Sequence, residues 1–221
     1  MRIRLRALRQ VIREALITEK AMSPASAVGD KLALYINKYL GAYLLYDPVE
    51  LAKQLSGDNI TTEAAYGVVI VKMHSDPDHL QWGAKEIEFT AARSGYGPMM
   101  YDIAMADVGG LVPDRGAVSD AARGIWKFYK NNRPDVKHLQ IDNAEEPLTD
   151  TTEDDGLRHN KKEFGDPLDQ AYFLDSGPDV SVLIANHKTA LPMLKQVSAE
   201  SGRPFNFAAI AQMFFDQQYD G

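Results

Sequence analysis

Between Lys85 and Met105 the chain reads KEIEFTAARSGYGPMMYDIAM, a stretch that leaves the backbone little choice. Ile87, Phe89 and Ala91 alternate with Glu86, Glu88 and Thr90, which is the period of a strand with one buried face. The pattern breaks at Gly95-Tyr96-Gly97 and resumes at Pro98, a residue suited to the first turn of a helix because its missing N–H is not needed there. From Met99 onward, Met99, Met100, Ile103 and Ala104 recur at helical spacing. The stretch is therefore predicted to be strand, glycine loop, helix. Such a junction leaves backbone N–H groups without intrahelical partners in a partly positive field, and an anion such as phosphate can take them up. The glycines let it approach the backbone closely.

The rest of the chain bounds what surrounds that junction. A length of 221 residues, 45% of them hydrophobic and 25% charged, is globular composition sufficient for one substantial domain with a core of its own. No run approaches the ~18 apolar residues of a membrane span, and the charged N-terminus does not read as a secretory signal. The absence of cysteine removes disulfides, thiolate metal sites and a cysteine nucleophile. The expected location is cytoplasmic or the interior of a virion, not secreted. Residues 1–20 hold six basic residues against Glu14 and Glu19, so the body is more acidic than the net charge of −7 suggests. An acidic body argues against a nucleic-acid module.

Taken in order, Leu5, Leu8, Ile12, Ala15 and Leu16 form one helical stripe among arginines, a basic amphipathic arm over 1–20 able to engage a protein partner. MSPASAVGD reads as a linker over 21–30, and 31–221 as the domain. Ala42–Tyr46 is predicted as a strand. Asp47 then caps a short helix with Pro48 at its first position, and Gly57 stops it. Tyr66–Met73 is a β-branched strand, expected to pair with the Glu86 strand as an antiparallel hairpin. His74, Asp76, Asp78 and His79 read as a polar loop, with a metal-ligand role the lesser alternative. Gly109-Gly110 ends the central helix. Ser119 caps a second one, with Val118, Ala122, Ile125 and Tyr129 on one face. Val136–Ile141, Ala171–Leu174 and Val180–Ala185 are predicted strands. Residues 142–155 carry seven acidic residues and no basic one, a solvated loop, and FNFAAIAQMFF reads as a final helix. The fold class expected is α+β, a mixed, mainly antiparallel sheet flanked by helices, with the basic amphipathic helix at the N-terminus.

The order strand, strand, Gly-x-Gly, helix, short strand, helix, strand resembles the GNAT superfamily of N-acyltransferases over roughly residues 40–140. In that family the loop after the fourth strand, normally Arg/Gln-x-x-Gly-x-Gly/Ala, cradles the pyrophosphate of acetyl-CoA. Gly95 and Gly97 match its glycines. The basic position falls on Ala92, with Arg93 one place later. The resemblance implies acetyl-CoA as co-substrate, held by Phe89, Thr90, Ala91, Arg93, Gly95, Tyr96, Gly97, Pro98 and Met99, and an amine-bearing acceptor. The strand from Glu86 to Ala91 is similar to one in lysine acetyltransferases whose catalytic glutamate falls where Glu86 stands. Glu86 or Glu88 would be the base. The family's Asn-x-x-Ala-x-x-Leu-Tyr helix corresponds to Ser119-x-x-Ala122-x-x-Ile125-Trp126, so the thiolate's proton donor would pass to Tyr129, one turn on. GYGPMMYDIAM followed by PDR-x-x-VS-x-x-A is also similar to uncharacterised GNAT-like proteins of tailed phages. The arginine-rich start and Ile17-Thr18-Glu19 resemble their leader segments and prohead-protease sites. The alternative implied there is a non-catalytic phage virion or partner-binding protein carried by its N-terminal helix.

Overall fold

The computed structural model describes residues 22–57, 62–73, 83–114, 118–141, 166–202 and Phe207. The basic arm, the loop with His74, Asp76, Asp78 and His79, the acidic stretch 142–155 and, Phe207 apart, the expected C-terminal helix lie outside the described residues. In chain order the elements are α1 (Pro24–Gly29), β1 (Ala33–Asn37), β2 (Ala42–Tyr46), α2 (Pro48–Ser56), β3 (Ala65–Val71), β4 (Lys85–Ala92), α3 (Gly97–Val108), β5 (Leu111–Val112), α4 (Asp120–Asn132), β6 (Val136–Gln140), β7 (Gln170–Leu174) and α5 (Ser181–Ser201). Single 3-10 turns precede β3 (Thr62–Ala64) and β7 (Pro167–Asp169). The class is α+β with mainly antiparallel strands; β4–β5 alone pairs in parallel among the described strands. A parallel pair needs a crossover connection, and α3 supplies it.

The chain folds as two compact units, which share β4 and α3. Unit I draws on Met22–Met73, Ile87–Ala104 and Gly177–Gly221. Its strands run β1-β2-β3-β4, each antiparallel to the next. Leu44, Tyr46, Leu51, Val68, Phe89 and Leu194 are among the residues of its core. The helix α2 begins where the sequence requires: Asp47 Oδ1 accepts from the amides of Val49 and Glu50 at 2.8 and 3.1 Å, and Pro48 follows. In unit II, Lys85 and Glu86 of β4 pair with β5, β5 with β7, and β7 with β6. Ser119 Oγ accepts from Ala122 N at 3.2 Å and starts α4, whose Ala122, Trp126, Phe128 and Tyr129 are buried.

Two expectations give way. Residues 23–29 of the expected linker are a capped helix, Ser23 Oγ accepting from Ser26 N with Pro24 next; a linker-like composition here encodes a cap. Val180–Ala185 is no strand but the first turns of α5, because Leu183, Ala190, Leu194 and Ser198 continue its buried stripe at helical spacing past Pro192. A short apolar run cannot distinguish the two states by itself. β1 pairs with β2 along its full length, Ala33 with Tyr46 through Asn37 with Ala42.

Two glycines are places of close approach. A Cβ on Gly67 of β3 would lie 2.7 Å from Met100 Cγ of α3. One on Gly110, ahead of β5, would lie 2.7 Å from two ring carbons of Phe173 and 3.1 Å from Ala84 Cβ. The rigid ring and backbone-borne methyl have less room to yield than a thioether chain. Gly110→Ala is therefore expected to cost about 1–3 kcal/mol and Gly67→Ala less, as read from urea-unfolding midpoints. A larger loss at position 67 would contradict this packing.

Candidate functional site

The glycine turn of unit I is built by tethers from three other segments. Gly95 has φ +91°, a left-handed conformation that favours glycine. Tyr96 N donates to Arg93 O and Met100 N to Tyr96 O, both at 3.0 Å, which starts α3. Met22 N donates to Gly95 O at 2.9 Å, so the residue ahead of α1 lies on the turn. The Tyr96 hydroxyl donates to Asp30 Oδ2 at 2.7 Å. Burial, and then the hydrogen bond to Asp30 and its charge, push the Tyr96 phenol well above its ordinary range. The Tyr96 ring meets Tyr66 edge-on, centroids 5.3 Å apart.

Arg93, expected to face phosphate, braces the turn instead. Its Nε donates to Ala65 O at 3.0 Å and its terminal nitrogen to Glu63 O, while the guanidinium lies 4.2 Å from the Tyr66 ring centroid. Thr90 Oγ1 donates to Val68 O at 3.2 Å across the β3–β4 pair. Phe89, Pro98 and Met99 are buried, and Ala91 is half-buried. Among the described residues, the amides of Gly97 and Met99 at the head of α3 donate to no backbone carbonyl outside the helix. Gly97 itself is half-buried. Two amides at the N-terminus of a helix of 12 residues can hold an anion.

The three expected catalytic side chains fall in different surroundings. A register shift in the β3–β4 ladder pairs Ile70 with Phe89 and Val71 with Ile87, leaving Glu88 as the extra residue of a β-bulge. Ile87, Glu88 and Phe89 keep the expected alternation, which fails at Glu86. Glu86 and Ile87 are both buried, at 2% and 3% exposure, whereas Glu88 is exposed. Glu88 belongs to unit I with the glycine turn; Glu86 belongs to unit II, where its partner in the ladder is Val112. Tyr129 is fully buried in unit II, its ring among those of Trp126 (5.9 Å), Phe128 (6.2 Å) and Tyr172 (6.3 Å). Trp126 packs on Tyr172 at 4.8 Å.

Sequence reasoning missed Asp30 and Tyr66, which shape the turn. The spacing of 66 residues between Asp30 and Tyr96 carries no local signal. It also missed an open cavity of about 440 Å³ in unit II, at the end of α4 and along β6, lined by Lys130, Arg133, Lys137 and His138 among others. Its cations have carboxylates to answer them: Arg133 binds both oxygens of Asp135 at 2.8 and 2.6 Å, and Lys137 meets Asp175 at 2.6 Å. Basic residues also suit the negative end of a helix, so the cavity is not an evident anion site.

Taken together, the fold and the turn define an α+β protein in which a bulged strand leads through a tethered Gly-x-Gly turn into a helix. No family model, curated protein or solved structure matches the chain. No helix among the described residues is long and apolar enough to cross a membrane.

Losing the phenol hydroxyl in Tyr96→Phe removes a hydrogen bond to Asp30, an exposed residue whose carboxylate water can then solvate, so the loss is set at the ordinary net contribution of about 0.5–1.5 kcal/mol. A loss of that size is expected in denaturant unfolding, with Asp30→Asn, which keeps an acceptor, losing less. Equal stability of Tyr96→Phe and the parent would show that the tether holds nothing.

Proposed function

We propose that the glycine turn of unit I receives the phosphate end of an acyl thioester, acetyl-CoA, and that the protein transfers the acyl group to an amine-bearing acceptor in the manner of the GNAT superfamily. The observation that carries this reading is the pair of amides, Gly97 and Met99, that head α3 without a backbone acceptor outside the helix among the described residues, closely following a bulged strand. Bulges recur beside active sites, where they re-aim a side chain. Glu88, exposed and at the bulge, is the carboxylate with access to a substrate ammonium and serves as the base. The amine, once neutral, attacks the thioester carbonyl; the C–N bond forms, the C–S bond breaks, and the thiolate takes a proton. Tyr129, enclosed by rings, is poorly placed to give that proton, and solvent is its source in this reading.

A second reading has its own observation. Arg93 and Tyr129, which the family resemblance assigns to cofactor binding and proton donation, are both committed to protein contacts. That favours a GNAT-like scaffold kept for binding, a phage virion or partner-binding protein carried by residues 1–20.

Millimolar acetyl-CoA is expected to raise the thermal unfolding midpoint of the full chain, and Gly97→Asp, which sets a carboxylate where phosphate would sit, is expected to abolish the shift. No shift with the parent chain would sink the acyl-CoA reading. Protection without acyl transfer to any primary amine, together with loss of partner association on deleting residues 1–20, would establish the scaffold instead. Glu88→Gln separates chemistry from binding: turnover is expected to fall about 10²–10⁴-fold, the usual contribution of a positioned general base, with the thermal shift retained.

A further inference from the structure

Unit II ends its sheet on β6, a strand exposed on both faces. Val136 is buried, but Lys137, His138 and Leu139 are exposed, Leu139 at 51%. Among the described residues its ladder is the antiparallel one with β7, Val136 opposite Leu174 through Gln140 opposite Gln170. Two bonds just beyond that ladder show which way the main chain points. Ile141 N donates to Asp169 O at 3.1 Å, and Asp175 N donates to Asp135 O at 3.4 Å. Asp135 and Ile141 thus face β7, and Lys137 and Leu139 face it with them, because the residues of an antiparallel strand alternate. Val136, His138 and Gln140 point their main chain the other way. Val136 N turns back to Arg133 O at 3.1 Å. The amides of His138 and Gln140, and the carbonyls of Val136, His138 and Gln140, meet no backbone partner among the described residues. Such a row is a template for another strand. We infer that the free edge of β6 takes up an extended acidic segment of a protein partner as an added strand.

The open cavity of about 440 Å³ lies on that edge and selects the occupant. Successive strand residues send their side chains to opposite faces, yet Val136, Lys137 and His138 all line the cavity, together with Lys130 and Arg133 and with no residue of β7. A space bounded in this way runs along the strand's edge, on the side away from β7. No carboxylate lines it. Asp135 and Asp175 answer Arg133 and Lys137 from outside the cavity, which leaves little for a free anion. A strand differs, because its main chain bonds to the edge and its side chains add to that. Lys137 and Asp175 are both exposed, and exposed ion pairs exchange partners at little cost. Leu139 shares a face of β6 with Lys137. A segment with a carboxylate across from Lys137 and an apolar side chain across from Leu139 satisfies both as cross-strand pairs. A second β6 fits less well, since it would bring another Lys137 and Arg133 to the same edge. Main-chain bonds supplying affinity and alternate side chains supplying choice is the usual division of roles when a peptide joins a sheet.

The test uses the full chain, nitrogen-15 labelled, and a blocked peptide of sequence Glu-Thr-Val-Thr-Glu-Thr, which carries its glutamates and valine on one face when extended. Millimolar peptide is expected to shift the His138 and Gln140 amide resonances saturably and to slow their hydrogen exchange. The counterpart Lys-Thr-Val-Thr-Lys-Thr is expected to leave them unmoved. Two forms of the acidic peptide, N-methylated at one or the other set of alternate amides, separate strand addition from plain charge attraction. The form whose methyl groups face solvent is expected to bind like the parent peptide, and the form whose methyl groups face β6 to fail. His138→Pro removes an outward amide while the main-chain bonds to β7 stay, a change that edge strands tolerate. It is expected to weaken the acidic peptide about tenfold, the equivalent of one hydrogen bond. Should that variant unfold, the methylated pair still decides. Unmoved His138 and Gln140 amides, equal binding of the lysine peptide, or equal binding of both methylated forms would overturn the added strand, and none of these readouts depends on acetyl-CoA.

Discussion

A buried phenol donating to a carboxylate 2.7 Å away decides the shape of the turn on which unit I depends. Glycines on either side of Tyr96 would otherwise leave that turn many conformations, since glycine has the most backbone freedom to lose. Tyr96 removes the freedom from its own side chain outward. Its hydroxyl ties the turn to Asp30, its ring rests edge-on against Tyr66, and Tyr66 in turn carries the Arg93 guanidinium. The variable residue of the Gly-x-Gly pattern, not the glycines, is the fixed point. The backbone path from β4 into α3 is therefore set by side-chain contacts as much as by the helix itself.

Those same tethers set the scale of what the turn can hold. Arg93 is spent on the Glu63 and Ala65 carbonyls, so a bound diphosphate would lean on two amides and the helix field. A hydrogen bond to a charged group contributes about 1.5–3 kcal/mol, so two give about 3–6 kcal/mol. A millimolar dissociation constant corresponds to about 4 kcal/mol. Weak capture is thus consistent with amides alone, and tight capture would require further contacts along β4. That arithmetic is why the acyl-CoA and scaffold readings part over turnover more sharply than over binding.

Much of the fold was legible because its signals are local. Asp47-Pro48 and Ser119-Asp120 name their helices through side chains that satisfy amides two or three residues away. Ala42–Tyr46 and Gln170–Leu174 are short, largely apolar runs, and they are strands; Val136–Gln140, reading VKHLQ with only Val136 buried, is a strand as well. Ser23-Pro24 carried the same cap-and-proline signal inside MSPASAVGD, where a small-residue composition masked it. The candidate site was legible only as a place. Its backbone path follows from Gly95, Gly97 and Pro98, but the bulge at Glu88 depends on how β3 and β4 register, and that register is set by packing across the pair. Likewise Asp30 with Tyr96, and Tyr46 with His187, are joined across 66 and 141 residues of sequence, beyond the reach of any periodicity.

The two phenols of unit I illustrate how an acceptor's identity governs what a tether does. Tyr96 and Tyr46 are both buried and both displaced upward, so each stays a donor throughout the range in which the protein operates. What differs is the partner. The Asp30 carboxylate oxygen accepts from Tyr96 at 2.7 Å, so the direction of that bond is settled by the groups themselves. His187 Nδ1, 2.8 Å from the Tyr46 hydroxyl, donates or accepts according to which ring nitrogen carries its hydrogen, and the hydroxyl can answer either. One phenol is thus committed to a single role, and the other is free to follow its neighbour while α5 keeps its contact with β2.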